Sequence, residues 1–341
     1  MANEVADMRF AVIGAGRIGQ LHASHLAQAI RGAELVAVVD VAMPAAEETA
    51  ARWAAKAYPD LRSVLAQEAI NAVCIASATE THIALIEEAA AAGLHIFCEK
   101  PIDHDLAHID RALAAVQQAG VLLQVGFNRR FDANAERVRA ALLAGEIGEP
   151  YTLHLISRDP APPTLEYLRG SGGIFLDMMI HDFDMARFLI GAEVESVFTL
   201  AGVRVDPRIG ELGDLDTALV SLRFSNGVIG MIDNCRQAVY GYDQRIELFG
   251  SKGSIRTDHQ YANSATLQTA AAIARDLPHH FFIERYRESY IRELEQFIAA
   301  IESGQPPPVT GMDGRIPVVL ARAARLSYDE NRPVNPREVD G

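Results

Sequence analysis

The stretch "VIGAGRIG", residues 12–19, decides the fold of the first half of this chain. Gly14, Gly16 and Gly19 stand in G-x-G-x-x-G spacing. By itself that pattern is weak, because small glycine-rich turns are common. Here it closes an apolar strand, "RFAVIG" (9–14), and opens a helical run, "RIGQLHASHLAQAI" (17–30), the context that makes it a dinucleotide-binding turn. The first glycine makes the turn, the second lets a pyrophosphate reach the backbone, and the third lets helix and strand pack closely. The helix start at Arg17, Ile18 and Gly19 then offers amides and a positive dipole end. Asp40 ends the next strand, "ELVAVVD" (34–40), 26 residues after Gly14. An acid there accepts hydrogen bonds from ribose hydroxyls and repels a 2′-phosphate. No Arg or Lys follows it immediately, so the expected cofactor is NAD rather than NADP.

Working outward, the runs "NAVCIAS" (71–77), "HIFCEKP" (95–101) and "VLLQVGF" (121–127) read as further buried strands, with Ala-rich helical segments between them. Strand alternating with helix means a parallel sheet covered on both faces. Ligands of such a sheet bind at the carboxyl ends of its strands, which places Glu99, Lys100 and Pro101 near the nicotinamide half. After about residue 150 the character changes. Longer strands appear at "YTLHLISRD" (151–159), "VESVFTLAGVRV" (194–205), "DTALVSLRFSNGVIGMID" (216–233) and "YDQRIELFGSKGSIRT" (242–257). "SNG" and "GSKGS" inside the last two are hairpin turns. The expected fold class is a Rossmann-type doubly wound parallel sheet followed by an α+β domain with a large, mostly antiparallel sheet. The expected division is a dinucleotide-binding domain over 1–127 and a second domain over 128–310. A C-terminal helix over 311–341 is expected to pack back on the first domain.

The 341 residues suit two domains, and a hydrophobic content of 49% is that of a globular protein. The net charge of −14, with no run of Lys and Arg, argues against nucleic acid as a partner. No apolar run reaches the length of a membrane span. The opening "MANEVADMRF" carries Glu4 and Asp7 and no basic region before an apolar one, so no signal peptide is expected. The cysteines Cys74, Cys98 and Cys235 are odd in number and widely spaced, and the first two read as small core residues. A cytoplasmic location is expected.

The other informative stretch is "GGIFLDMMIHDFDMARFLIG", residues 172–191. Its flanking glycines bound one helix of ordinary length. At 3.6 residues per turn Asp177, His181 and Asp184 fall within about 60° of one another, with Asp182 opposite and Arg187 at the far end of the stripe. Ionisable groups on an apolar helix need partners, solvent or a ligand. Asp182 and Asp184 are expected to be structural, capping or pairing with Arg187. His22 with His25, His104 with His108, and His279 with His280 are the remaining histidine pairs. None has a third ligand at a recognisable spacing, so no metal is expected and these read as surface residues.

"GAGRIG", "EKP" and "SGGIFLDMMIHDFDMARFL" together resemble the glucose-fructose oxidoreductase/inositol dehydrogenase (Gfo/Idh/MocA) superfamily. "GFNRRFD" (126–132), "SRDPAPP" (157–163), "QAVYGYDQR" (237–245) and "FFIERYRESYIRE" (281–293) make it most similar to bacterial inositol 2-dehydrogenases. The resemblance spans nearly the whole chain. It implies NAD-linked oxidation of a small cyclic polyol, serving inositol catabolism, by a homotetramer built through the second domain's sheet. It assigns the catalytic roles to Lys100, Asp177 and His181, and polyol contacts to Arg129, Asp159 and Tyr240. The chemistry is coherent: oxidising an alcohol requires a base poised near neutral pH, which suits His181, with Asp177 orienting and Lys100 donating to the reacting oxygen. Asn128 departs from the family, where Met is expected in many relatives. A scyllo-inositol or aldose dehydrogenase, and a non-catalytic NAD-binding sensor, are the alternatives.

Overall fold

The computed structural model describes residues 8–341. Glu4 and Asp7, on which the expectation of no signal peptide rests, lie outside the described residues. The described residues divide into two compact units, one formed by residues 8–128 with Tyr290–Arg315, the other by Arg129–Ser289 with Ile316–Gly341.

The first unit is built on a six-stranded parallel sheet, β1 (Met8–Ile13), β2 (Ala33–Val39), β3 (Lys56–Tyr58), β4 (Ala72–Ile75), β5 (His95–Glu99) and β6 (Leu123–Gly126). The order is β3-β2-β1-β4-β5-β6, so it reverses between β1 and β4, the switch point at which such sheets bind ligands. The sequence reading anticipated five of these strands. It missed β3, whose three residues Lys56–Tyr58 are too short to show a pattern at the sheet edge. Val12, Val38, Val73, Ile96 and Val125 are buried, as strands covered on both faces require. Cys74 and Cys98 are fully buried core residues, as expected.

The second unit holds a six-stranded mixed sheet, β7 (Pro150–Arg158), β8 (Val194–Gly202), β9 (Thr217–Phe224), β10 (Ile229–Cys235), β11 (Asp243–Gly250) and β12 (Gly253–Arg256). Its order is β12-β11-β7-β10-β9-β8, antiparallel throughout except for the parallel β7–β10 pair. Both expected hairpins are present, at β9–β10 and β11–β12. Strict alternation buries Leu153, Leu155, Val220, Leu222 and Ile232 on one face. Tyr151, Leu200, Leu219, Ile229 and Phe249 are exposed on the strands. A small ribbon, β13 (Thr266–Gln268) with β14 (Ile273–Arg275), follows.

Two expectations are corrected. The segment that returns to the first unit is Tyr290–Arg315, and Ile316–Gly341 belongs to the second. The helix Arg287–Ser303 inserts Ile291, Leu294, Phe297 and Ile298 into the first core, where Phe297 meets Phe10 and Phe97 at centroid distances of 6.4 and 6.1 Å. In the helix Gly311–Glu330, Arg315 still pairs with Asp110, whereas Leu320, Ala321, Ala323 and Ala324 pack into the second core. The stretch 172–191 is also not one helix but two, Gly173–Asp177 and Ile180–Ile190. The amides of Met178 and Met179 both reach the Ile174 carbonyl, at 3.1 and 2.9 Å, and the helical register slips there. Asp177 ends the first helix and His181 lies in the first turn of the second.

Among the described residues no helix is long and apolar enough to cross a membrane. Truncating a ring that three core aromatics share leaves a cavity the surroundings cannot close. Phe297→Ala is therefore expected to destabilise the first unit by about 3–5 kcal/mol in denaturant unfolding, and a loss under about 1 kcal/mol would remove this helix from that core.

Candidate active site

The glycine turn has the form its spacing implies. Gly14 sits at φ +102°, and a Cβ there would stand 2.6 Å from the Ala76 carbonyl oxygen. A Cβ on Gly19 would lie 1.7 Å from the Gly14 carbonyl oxygen, so only glycine lets helix and turn close together. At Gly16 a Cβ would meet nothing within 4 Å, which leaves the backbone approachable. Gly16 is the N-cap of the helix Arg17–Gln28, and no side chain caps that first turn. An uncapped helix start beside an open glycine fits the pyrophosphate of a dinucleotide. Asp40 ties the turn to the end of β2, accepting from the amides of Ala15 at 2.7 Å and Ala42 at 2.8 Å. A carboxylate retains acceptor capacity for ribose hydroxyls beyond those two bonds.

At the end of β5 the Lys100–Pro101 bond is cis, and Lys100 is half-buried. Glu99 accepts from His22 Nε2 at 2.7 Å and from the Lys100 amide at 3.3 Å. His22 and His25 are buried rather than on the surface, because the helix that follows the glycine turn presses them into the core. The third partner that spacing could not reveal for His22 comes from afar: Glu99 and the buried Glu293 bring their ligand atoms within 4.8 Å of it and of each other.

In the second unit, Asp177 is held from two sides. Arg236 Nη1 donates to Oδ2 at 2.9 Å, and the Tyr167 hydroxyl donates to Oδ1 at 2.8 Å. Arg236 is fully buried and also approaches Asp214 at 3.4 Å. Asp214 in turn accepts from the Ile174 amide at 2.9 Å, which caps the helix that carries Asp177. Neither Arg236 nor Tyr167 was singled out in the sequence. The signal for Arg236 was a lone arginine directly after the alternating strand "GMIDNC", where a charge has no solvated face to occupy.

Asp182 and Asp184 each meet an arginine other than Arg187, which pairs with Glu193 at 2.6 Å. Asp182 accepts from Arg129 at 3.0 Å, Ser157 at 2.6 Å and Asn234 at 3.0 Å. Asp184 takes both prongs of Arg130. Burial pushes the Asp182 carboxyl upward, opposed first by the charge of Arg129 and then by these donors. The guanidinium of Arg129, itself buried, is held charged by Tyr242 and Asp182. Arg129 is thus committed inside the unit, bonding also to Ser157 at 2.9 Å and Tyr242 at 3.3 Å. Tyr240 donates to Asp243 at 2.6 Å, and Asp159, just past β7, accepts at its carbonyl from the Ala238 amide at 2.6 Å. Asn128 is buried, at 2% exposure.

With this geometry in hand, the comparisons are specific. Residues 8–127 match an oxidoreductase family with an NAD-binding Rossmann fold, and residues 135–256 match the GFO/IDH/MocA C-terminal domain. The chain is 48% identical to the myo-inositol 2-dehydrogenase of Thermotoga maritima over 98% of its own length and 100% of the relative. It is 45% identical to the inositol 2-dehydrogenase of Rhizobium meliloti over 96% and 99% of the two chains. The protein belongs to the GFO/IDH/MocA family of NAD-binding oxidoreductases. The crystal structure of myo-inositol dehydrogenase from Lactobacillus casei in complex with NAD(H) and myo-inositol superposes with a TM-score of 0.85, at 27% identity over 96% of each chain.

Removing one partner of a buried, hydrogen-bonded ion pair strands the other charge. Asp182→Ala is expected to lose about 3–5 kcal/mol of stability, as read by denaturant unfolding. The Asp182→Ala/Arg129→Met double variant should lose less than the sum of the two single variants, and strict additivity would show that the pair is not coupled.

Proposed function

We propose that this protein oxidises myo-inositol to its 2-keto derivative, with NAD as hydride acceptor. What carries the reading is Asp177, fixed in one orientation by Arg236 and Tyr167 immediately before the helix that presents His181, in a chain whose other unit is a dinucleotide fold. Bound at the glycine turn and Asp40, NAD supplies the site that takes the hydride. His181 accepts the hydroxyl proton as the alcohol is oxidised. Asp177 orients the substrate and the imidazole. Lys100 donates to the reacting oxygen and stabilises its alkoxide character. Asp159 contacts the polyol ring. Arg129 and Tyr240, which also bond to Asp182 and Asp243, contact the ring with it. The protein works in the cytoplasm, in inositol catabolism, as a homotetramer assembled through the sheet face that exposes Ile229 and Phe249.

Initial rates of reduced-nicotinamide formation, measured with NAD and NADP against myo-inositol, scyllo-inositol, D-chiro-inositol and glucose, test the assignment. Turnover should be fastest with NAD and myo-inositol. Preference for another ring would keep the chemistry and change the substrate, and NAD binding without turnover on any polyol would favour a sensor. Lys100→Met and His181→Ala should each lower kcat by about 10²–10⁴-fold while NAD affinity changes only a few-fold. Wild-type kcat in both variants would overturn the roles given to these residues. For the assembly, Ile229→Lys combined with Phe249→Lys should lower the mass in light scattering, and an unchanged tetramer would place the interface elsewhere.

A further inference from the structure

One buried cluster in the first unit has no part in the chemistry above. His22 comes from the helix after the glycine turn, Glu99 from the end of β5, and Glu293 from the returning helix Arg287–Ser303. His22 and Glu293 are fully buried, and the Glu99 side chain is 12% exposed. The rings of Phe97 and Tyr290 meet the His22 imidazole edge-on at 5.2 and 5.8 Å. Gly126 leaves room for Glu99, since a Cβ there would stand 3.1 Å from its carboxyl. Gln124 Nε2 donates to the Glu293 carbonyl at 2.7 Å, pinning that turn of the helix to β6.

Two carboxyl groups this close, shielded from water and with no arginine or lysine recorded on Glu293, do not both ionise. Glu99 accepts from His22 and from the Lys100 amide, as a carboxylate does. Neither carboxyl oxygen of Glu293 has a hydrogen-bond partner among the described residues, and both are buried. We propose that His22 and Glu293 are positioning residues that fix Glu99, and through its backbone Lys100, with Glu293 carrying a proton rather than a charge. The proton of Glu293 reaches Glu99 through one bridging water. Burial and then the charge of Glu99 push the Glu293 carboxyl well above the usual carboxylate range. The other titratable groups around the pair are Cys74 on β4, which senses both acids, Cys98 on β5, which senses Glu99, Tyr290 on the same helix as Glu293, and His22. Burial pushes both thiols up, so they add no charge. The protonation of Glu293 stands on this packing alone, whereas the consequence for Lys100 rests on the reading under Proposed function.

A competing occupant is a divalent cation, for which one His and two carboxylates are a chemically reasonable set. The two readings give opposite signs. A carboxyl whose value is raised in the folded state gives stability that is lost as pH climbs from the ordinary carboxylate value to the raised one. Glu293→Gln abolishes that loss, because the amide is neutral at every pH. Thermal unfolding of the full-length wild type and of Glu293→Gln, with EDTA and separately with added Zn²⁺ or Mn²⁺, should show the variant gaining on wild type by about 2–5 °C for each pH unit within that window. The infrared spectrum of wild type at pH 8 should hold the carbonyl band of a protonated carboxylic acid, which requires no variant to fold. A stability difference between variant and wild type that does not change with pH, a wild-type melting temperature raised by the cation and lowered by EDTA, or the absence of the infrared band would each overturn the proposal. For the positioning role, Glu293→Leu should lower kcat about tenfold with the KM for NAD nearly unchanged, and Glu293→Gln should restore most of it. A Leu variant with wild-type kcat overturns the link to Lys100 while the melting data still judge the proton. If wild type oxidises no polyol, that link falls together with the assigned reaction.

Discussion

A charge taken out of water needs a counter-charge, and the second unit is arranged around that constraint. The helices Gly173–Asp177 and Ile180–Ile190 carry Asp182 and Asp184 into an apolar core and hold Asp177 half-buried, and each acid meets an arginine from elsewhere in the chain. Arg129 and Arg130 come from the short turn Asn128–Phe131 at the start of the unit, and Arg236 from the end of β10. These pairs are poor sources of net stability, because desolvation offsets most of their Coulomb energy. Their value is register. The Arg130 fork accepts Asp184 in few geometries and, with the contacts of Arg129 and Arg236, fixes the rotation of the helices against the sheet. Asp177 and His181 inherit that fixed orientation.

The first unit depends on a different constraint, the absence of atoms. Gly14 and Gly19 lie so close that no side chain fits at either, whereas Gly16 has open space where its side chain would be. The three glycines are therefore not interchangeable. Two make the turn possible and one leaves room above it, where the uncapped helix start faces outward. Asp40 links the two halves of this arrangement by bonding to Ala15, inside the turn.

How legible all this was depended on the range of the interaction. The glycine turn is local: strand, turn and helix occupy consecutive residues, so spacing and context revealed it. The alternating strands of the second sheet and its hairpins were legible for the same reason. The break at Met178 and Met179 was not, because no glycine or proline marks it: the amides of both methionines reach the same Ile174 carbonyl. Arg236 as the holder of Asp177 was hidden likewise, being 59 residues distant. The fate of the C-terminal helices was misjudged because the apolar faces of both look alike in sequence. What separates them is that Leu294 and Phe297 meet Phe10 and Phe97, whereas Leu320 and Ala324 meet the second sheet's core. The pattern 290, 294, 297 and 298 did carry one anomaly, a glutamate at 293 on the apolar side.

That anomaly shows the two units treating buried acids in opposite ways. Where Asp182 and Asp184 are buried, an arginine is buried with each, and the half-buried Asp177 meets the buried Arg236. Where Glu293 is buried, the groups beside it are a histidine, a carboxylate and a thiol, and among the described residues no arginine pairs with it. The only neutral form open to it is the acid itself. Such an acid keeps its proton at a cost that grows with pH, so the pH sensitivity of this cluster falls on the alkaline side, at the end of β5 beside Lys100.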